Sequence, residues 1–333
     1  MNLGRLAITL PVPFLSAREC VDLARRAEQE WGYDAIWLAE TNGADSFSLA
    51  GAVAMATSRV TIGTAIVPVY NRTPAVLAMS AASLAEISEG RFVLGLGSSS
   101  HAIVESWNGI PFELPLTRVR ETVEVVRQAL AGKRTDFEGR TLRSRGFRLG
   151  SVPADPPPIY LAALREKMLA MAGEIGDGLI VNLFPVTALP QILSAYRDGA
   201  ARAGRDARSD EVVCRFQIGV TDDVAAARGL VRMIFASYVA QPVYNAFFAW
   251  CGFEDEARAV SDAFARGDRA GSAAALTDDL IDRVTILGSA ERCREQLAEF
   301  VAAGVTTSVI SPLAADAAGV AATLKAFAPA LTA

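Results

Sequence analysis

Histidine is nearly absent from this 333-residue chain, which has only His101. A site built on two or more imidazoles is therefore excluded, and a Ser–His–Asp triad would have to use His101. Lysine is also scarce. Of the 32 Lys and Arg residues, only Lys133, Lys167 and Lys325 are lysines. None ends a convincing strand, so Schiff-base chemistry of the aldolase kind is not expected. Cys20, Cys214, Cys251 and Cys293 are scattered without C-x-x-C spacing. They read as reduced core thiols, not as a disulfide frame or a zinc site. No apolar run approaches the roughly 20 residues needed to cross a bilayer, so no membrane partner is expected. The apolar stretch near the N-terminus is shorter than the ~7–15 residues of a signal peptide core. These features favour an unprocessed, cytoplasmic protein. A net charge of −5 argues against nucleic acid as a partner.

What is present is a large apolar reserve arranged in a steady rhythm. The chain is 51% hydrophobic and 21% charged, which predicts a sizeable core and no disorder. Apolar runs at 6–10, 35–39, 62–67, 92–96, 159–163, 178–183, 212–220 and 306–310 read as strands buried on both faces. Helical stretches at 17–30, 48–57, 116–130, 166–175, 189–203, 222–239, 290–303 and 315–327, with another opening at Pro74 and closing at Gly90, separate them. Ser16 with Glu19 forms a capping box, and Thr221 is a candidate cap for the 222–239 helix. The alternation predicts an α/β fold, a closed (β/α)8 TIM barrel in one domain over 1–333, with insertions near 98–115, 132–157 and 240–285. Within the second insertion, 137–149 reads as a β-hairpin. The aromatic-rich 241–276 fits no simple α/β unit. A doubly wound open sheet is the competing architecture, but no G-x-G-x-x-G lies between the first strand and its helix.

In a barrel, chemistry belongs to the C-terminal ends of the strands. Glu40 follows the second strand, where a carboxylate either faces the mouth or simply caps the strand end. The third strand leads into Tyr70, Asn71 and Arg72. The fourth ends Gly97-Ser98-Ser99-Ser100-His101, small residues that let a flat ring approach the backbone or merely make a tight turn. The fifth ends Ala162-Ala163-Leu164-Arg165 just before a helix, whose free N–H groups together with Arg165 suit an anionic group. Trp107, Tyr244, Phe247, Phe248 and Trp250 either wall a substrate pocket or pack an insertion.

Several of these segments, taken together, resemble a known family. They are D-A-I-W-L-A-E at 34–40, G-T-A-I-V-P-V-Y-N-R-T-P-A-V-L-A at 63–78, I-S-E-G-R-F-V-L-G-L-G-S at 87–98, W-N-G-I-P-F at 107–112, R-x-R-E-T-V-E-V-V-R at 118–127, A-G-E-I-G-D-G at 172–178 and L-G-S-A-E-R-C-R-E-Q-L-A-E-F-V-A-A-G-V at 287–305. The chain is similar to the luciferase-like monooxygenase superfamily, and most similar to its branch that uses the deazaflavin coenzyme F420. The resemblance implies a tricyclic ring across the barrel mouth. Behind it would lie a β-bulge with a non-proline cis peptide at Thr64–Ala65, completed by Ile66 and Val67. The coenzyme tail would run over Gly97, Ser98, Ala162, Ala163, Leu164 and Arg165. Relatives with a dehydrogenase activity carry an Asp-His pair where this chain has Glu40 and Thr41, so Glu40 is left to handle the proton, with Thr41 and His101 beside it. Asn71, Trp107 and Trp250 would lie near the substrate. The function implied is hydride transfer between coenzyme F420 and a small organic molecule with an alkene, imine, carbonyl or alcohol. Three further readings stand beside it: an FMN-dependent monooxygenase fed by a separate reductase, a non-catalytic flavin or deazaflavin binder, and an unrelated barrel hydrolase or lyase. The resemblance also implies a homodimer, and a flavin or F420 reductase as the source of reduced cofactor.

Overall fold

The computed structural model describes residues 1–332, and in it a parallel sheet closes on itself. The strands are β1 (Arg5–Leu10), β2 (Ala35–Leu38), β3 (Thr61–Thr64), β4 (Val67–Pro68), β5 (Phe92–Gly97), β6 (Asp136–Glu138), β7 (Arg143–Arg145), β8 (Ile159–Ala162), β9 (Gly178–Asn182), β10 (Glu211–Val220), β11 (Ile286–Gly288) and β12 (Thr307–Pro312). Around the barrel the order is β1-β2-β3-β5-β8-β9-β10-β12, and β12 pairs back onto β1. The expected (β/α)8 closure is therefore formed. The helices are α1 (Ala17–Gln29), α2 (Ser46–Ala56), α3 (Pro74–Ile87), α4 (Pro115–Leu130), α5 (Glu166–Ile175), α6 (Leu189–Arg202), α7 (Val224–Val239), α8 (Pro242–Trp250), α9 (Glu254–Ala265), α10 (Arg269–Ala274), α11 (Asp278–Val284), α12 (Ala290–Ala303), α13 (Ala317–Ala326) and α14 (Pro329–Thr332). Among the described residues no helix is long and apolar enough to cross a membrane.

The third predicted strand, 62–67, proves to be interrupted. β3 last pairs with β5 at Gly63↔Val93, and β4 resumes at Val67↔Leu96. Four residues of advance on one side meet three on the other, so one extra residue is looped out, as in a β-bulge. A non-proline cis peptide lies inside this bulge at Ala65–Ile66. It falls one residue later than the Thr64–Ala65 bond that the family resemblance implied. Thr64 fills the missing rung with its side chain, because its hydroxyl donates to the Gly95 carbonyl and accepts from the Gly95 N–H, both at 2.8 Å. The two strands come so close there that a Cβ on Gly95 would lie 1.7 Å from the Thr64 carbonyl oxygen.

Below the bulge the barrel interior is solid. Trp37 and Tyr160 stack with ring centroids 5.9 Å apart. Glycines on neighbouring strands make room for them. A Cβ at Gly63 would meet the Trp37 ring at 2.4 Å, and one at Gly178 would meet the Tyr160 ring at 2.7 Å. Val93, Ile180, Val213 and Val309 complete this core. At the N-terminal end Glu211 accepts hydrogen bonds from Tyr160 (2.8 Å), Arg5 (2.9 Å) and Thr307, and Arg5 also donates to Thr61 at 3.0 Å. That end is closed, so a cavity within the barrel can open only at the other.

The insertions take shapes that follow from local chemistry. β6 and β7 form the antiparallel hairpin expected within 137–149. Glu121 of α4 holds its turn by accepting the N–H groups of Arg140 and Thr141. The 240–285 segment folds as α8 to α11 around its own apolar cluster with Phe248, Val260 and Ile281. The short β11 beside β10 had no counterpart among the expected strands. Ser16 and Glu19 form both halves of the capping box. The cap of α7 is Asp223, which accepts from the Ala226 N–H, in place of the expected Thr221. All four cysteines are free.

Glu28, near the end of α1, is 3% exposed and accepts the N–H groups of Ser58 (2.9 Å), Arg59 (2.6 Å) and Val60 (2.8 Å) at the entrance to β3. Burial pushes its pKa up, but the three N–H groups outweigh burial and hold it below its ordinary value. A depressed carboxylate stabilises the fold fully above its unfolded pKa of roughly 4.3, and that stabilisation fades as pH falls toward the folded value. Glu28→Ala should lower stability by about 1–3 kcal/mol at pH 7, since buried donors lose their acceptor. The difference between the two proteins in urea unfolding should narrow below pH 4.5; a difference that grows on acidification would contradict this account.

Candidate active site

A cavity of about 600 Å3 opens at the C-terminal ends of the barrel strands. Its floor is made of Ala65 and Ile66 from the bulge, Gly97 from β5, Ala162 from β8 and Ile180 from β9. Glycine at 97 eases a close approach, because a Cβ there would sit 3.1 Å from Ile66 and 3.3 Å from Ala162. One side carries Ala39, Glu40 and Thr41 after β2, and Ser98, Ser99 and Ser100 after β5. Ser99 has a left-handed backbone, with φ 67°, and turns the chain over the rim. Ile103, Phe112 and Leu116 come from the 98–115 segment and the start of α4, which together cover the cavity. Trp250 of α8 also reaches it.

Thirteen of the residues singled out from the sequence thus meet in one place: Glu40, Thr41, Ala65, Ile66, Gly97, Ser98, Ser99, Ser100, Ala162, Leu164, Arg165, Tyr244 and Trp250. The others lie elsewhere. Thr64 is fully buried behind the floor in its clasp with Gly95. Val67 and Ala163 are in the outer core. His101 is on the outer rim, 3.2 Å from Glu105 and edge-on to Phe112. Asn71 and Trp107 are solvent-exposed, Trp107 at 56%.

Glu40 does not stand alone. One of its oxygens is paired with Arg72 and the other accepts the Ser46 N–H at 3.2 Å. Arg72 also binds Asp45, the cap of α2, and lies over the Phe47 ring at 5.0 Å. Burial disfavours the charged guanidinium, but the hydrogen bonds and charges of Glu40 and Asp45 prevail and raise its pKa. The same Arg72 charge, with the Ser48 N–H, holds Asp45 below its ordinary value against the effect of burial. Glu40 is thus a fixed, oriented carboxylate at the cavity edge.

A second polar region lies where β8 passes into α5. Arg165 occupies the cap position of α5, and no side chain caps the helix. The first N–H groups of the helix are left to a ligand or to water, beside Arg165 and Lys167.

Of the third polar region the sequence points to Tyr244 but not to Arg215 or Tyr238. Arg215 projects from the middle of β10 into the cavity, flanked by Tyr238 of α7 and Tyr244 of α8. The two phenol rings lie 3.9 Å apart. Burial lowers the pKa of Arg215 and raises those of both tyrosines, so the phenols stay protonated. The signal was available. Within Glu211–Val220 alternate residues face the barrel axis, and Glu211 and Val213 do so with Arg215 two positions on.

A luciferase-like monooxygenase family model matches residues 5–307. The chain belongs to this family. It is 32% identical over 311 residues to the 5,10-methylenetetrahydromethanopterin reductase of Archaeoglobus fulgidus, covering 92% of this chain and 93% of that protein. It is 34% identical over 227 residues to the F420-dependent glucose-6-phosphate dehydrogenase of Rhodococcus erythropolis, covering 63% of this chain and 67% of that protein. Among solved structures, the coenzyme F420-dependent tetrahydromethanopterin reductase of Methanopyrus kandleri matches with a TM-score of 0.82 and 24% identity over 98% of each chain, a likeness of fold.

Arg72→Met removes the shared partner of Glu40 and Asp45. It should cost about 2–3 kcal/mol in urea unfolding, because the remaining charges are partly buried. Arg72→Lys should recover little, since one ammonium cannot fork to two carboxylates. Full recovery with lysine would show that the bridge acts through charge alone.

Proposed function

We propose that the chain is an oxidoreductase that exchanges hydride between coenzyme F420 and a small organic substrate. The observation that carries this reading is the cavity floor. The bulge residues Ala65 and Ile66 and the opposing Gly97 present a surface of small groups on which a planar ring can lie. F420 is preferred over FMN because it is named in relatives 32–34% identical to this chain. When bound, the deazaflavin supplies or takes a hydride at ring C5, and proton handling is left to the protein.

The chain's residues divide the remaining tasks. The bulge and Gly97 support one ring face and keep water from it. The uncapped start of α5, with Arg165 and Lys167, holds the anionic tail. Phe112, Leu116 and Trp250 cover the substrate side. Glu40, oriented by Arg72, accepts the hydrogen bond of the substrate group that gains or loses a proton, with the Thr41 hydroxyl adjacent. A homodimer is supported by Met55, Val76, Met79 and Ile87, apolar side chains left exposed on α2 and α3. Reduced cofactor would come from a separate F420 reductase.

Absorbance and fluorescence titration should show coenzyme F420 binding at least about ten-fold more tightly than FMN. Equal or reversed affinities would replace this reading with the FMN-dependent one. Gly97→Val should weaken cofactor binding at least about ten-fold, because its side chain would fill cavity space beside Ile66 and Ala162 that a ring would need. Glu40→Gln should leave F420 affinity unchanged and slow hydride exchange by about 100-fold. Tight F420 binding without exchange against a broad panel of carbonyl, imine and alkene compounds would instead indicate a carrier.

A further inference from the structure

Arg215 presents an unmet requirement. Removing a guanidinium from water is costly unless a counter-charge or hydrogen bonds replace the solvent. Elsewhere in the barrel this is provided: Arg5 is held by Glu211 and Thr61, and Arg72 by Glu40 and Asp45. Among the described residues Arg215 has no carboxylate partner, and its buried Nε has no hydrogen-bond partner. Asn182, its register neighbour on β9, also lines the cavity, and its Oδ1 is likewise unpartnered. The accessible surface Arg215 retains opens into the cavity.

Its position separates it from the cofactor's supports. In the closed order β10 lies four strands from β3 in either direction, so Arg215 faces the bulge from across the mouth. Arg215 is therefore on the side of the cavity opposite the residues that would hold a ring on the bulge. The anion-binding start of α5 follows β8, two strands round the wall.

We propose that Arg215 is the substrate anchor and binds the carboxylate of a small organic acid, which rests on the reading of the cavity as a hydride-transfer site. The planar fork of its terminal nitrogens matches a carboxylate edge-on. The protonated phenols of Tyr238 and Tyr244 are hydrogen-bonded to each other, which leaves one hydroxyl proton, that of Tyr244, to donate beside it. A single guanidinium suits a planar monoanion, whereas a phosphate dianion calls for further cations. Val243 and Trp250 give the rest of the molecule an apolar wall.

The test is calorimetry on the F420-loaded protein with benzoate, its neutral isostere benzamide, and inorganic phosphate. Benzoate should bind at least about ten-fold more tightly than benzamide, and phosphate should not compete. Arg215→Met should abolish the preference for benzoate while leaving F420 affinity within about two-fold. It should also melt higher than the parent, because a buried charge without a protein partner has been removed. Arg215→Lys, which keeps the charge, should retain part of the preference and guards against a misfolded Met variant. Benzoate no tighter than benzamide, competition by phosphate, a lower melting temperature for Arg215→Met, or loss of F420 affinity equal to the loss for benzoate would each overturn the assignment. The same titrations without cofactor separate the two readings. A benzoate preference in a protein that fails to bind F420 would uphold the anchor and remove the hydride-transfer function.

Discussion

The hydroxyl of Thr64 replaces one rung of the β3–β5 ladder, and the cavity depends on that replacement. Its two hydrogen bonds to Gly95 let the chain spend an extra residue between Gly63 and Val67 without leaving backbone groups of Gly95 unpaired in the interior. The looped-out residues form the floor. The same approach dictates glycine at 95, where any side chain would strike the Thr64 carbonyl, and favours it at 97, where one would crowd Ile66. A threonine and two glycines on neighbouring strands therefore form one unit.

Charge is distributed in the cavity by whether it is already compensated. Glu40 is bound on both oxygens, so its direction is set by the protein. The start of α5 offers uncompensated backbone N–H groups at the mouth, and Arg215 offers an uncompensated guanidinium deeper inside. A folded chain gains little stability from either of the last two. Both are groups whose electrostatic requirements are left for a ligand to complete.

The barrel was legible because its strands are apolar on both faces and its helices are punctuated by residues such as the Ser16 cap and Pro74. What escaped the sequence depends on partners distant along the chain. The run from Ile62 to Val67 reads as one strand, because nothing within it reveals that β5 advances by one residue fewer over the same span. Glu40 reads as a free acid until Arg72, 32 residues later, is seen to fold back onto it. In β10 the apolar run Glu211–Val220 conceals Arg215, since average hydrophobicity says nothing about which face a lone charge occupies. The aromatic residues of α8 were noticed, but their division between cavity and core follows from packing: Tyr244 and Trp250 reach the cavity while Phe247 and Phe248 are buried.

The stacked Trp37 and Tyr160 make the barrel a cup, not a tube. Nothing can leave through the bottom, so two ligands sharing the cup must use one doorway. A cofactor and a substrate bound there together would enter and leave in an order set by their depth, a constraint imposed by two aromatic rings at the base of the barrel.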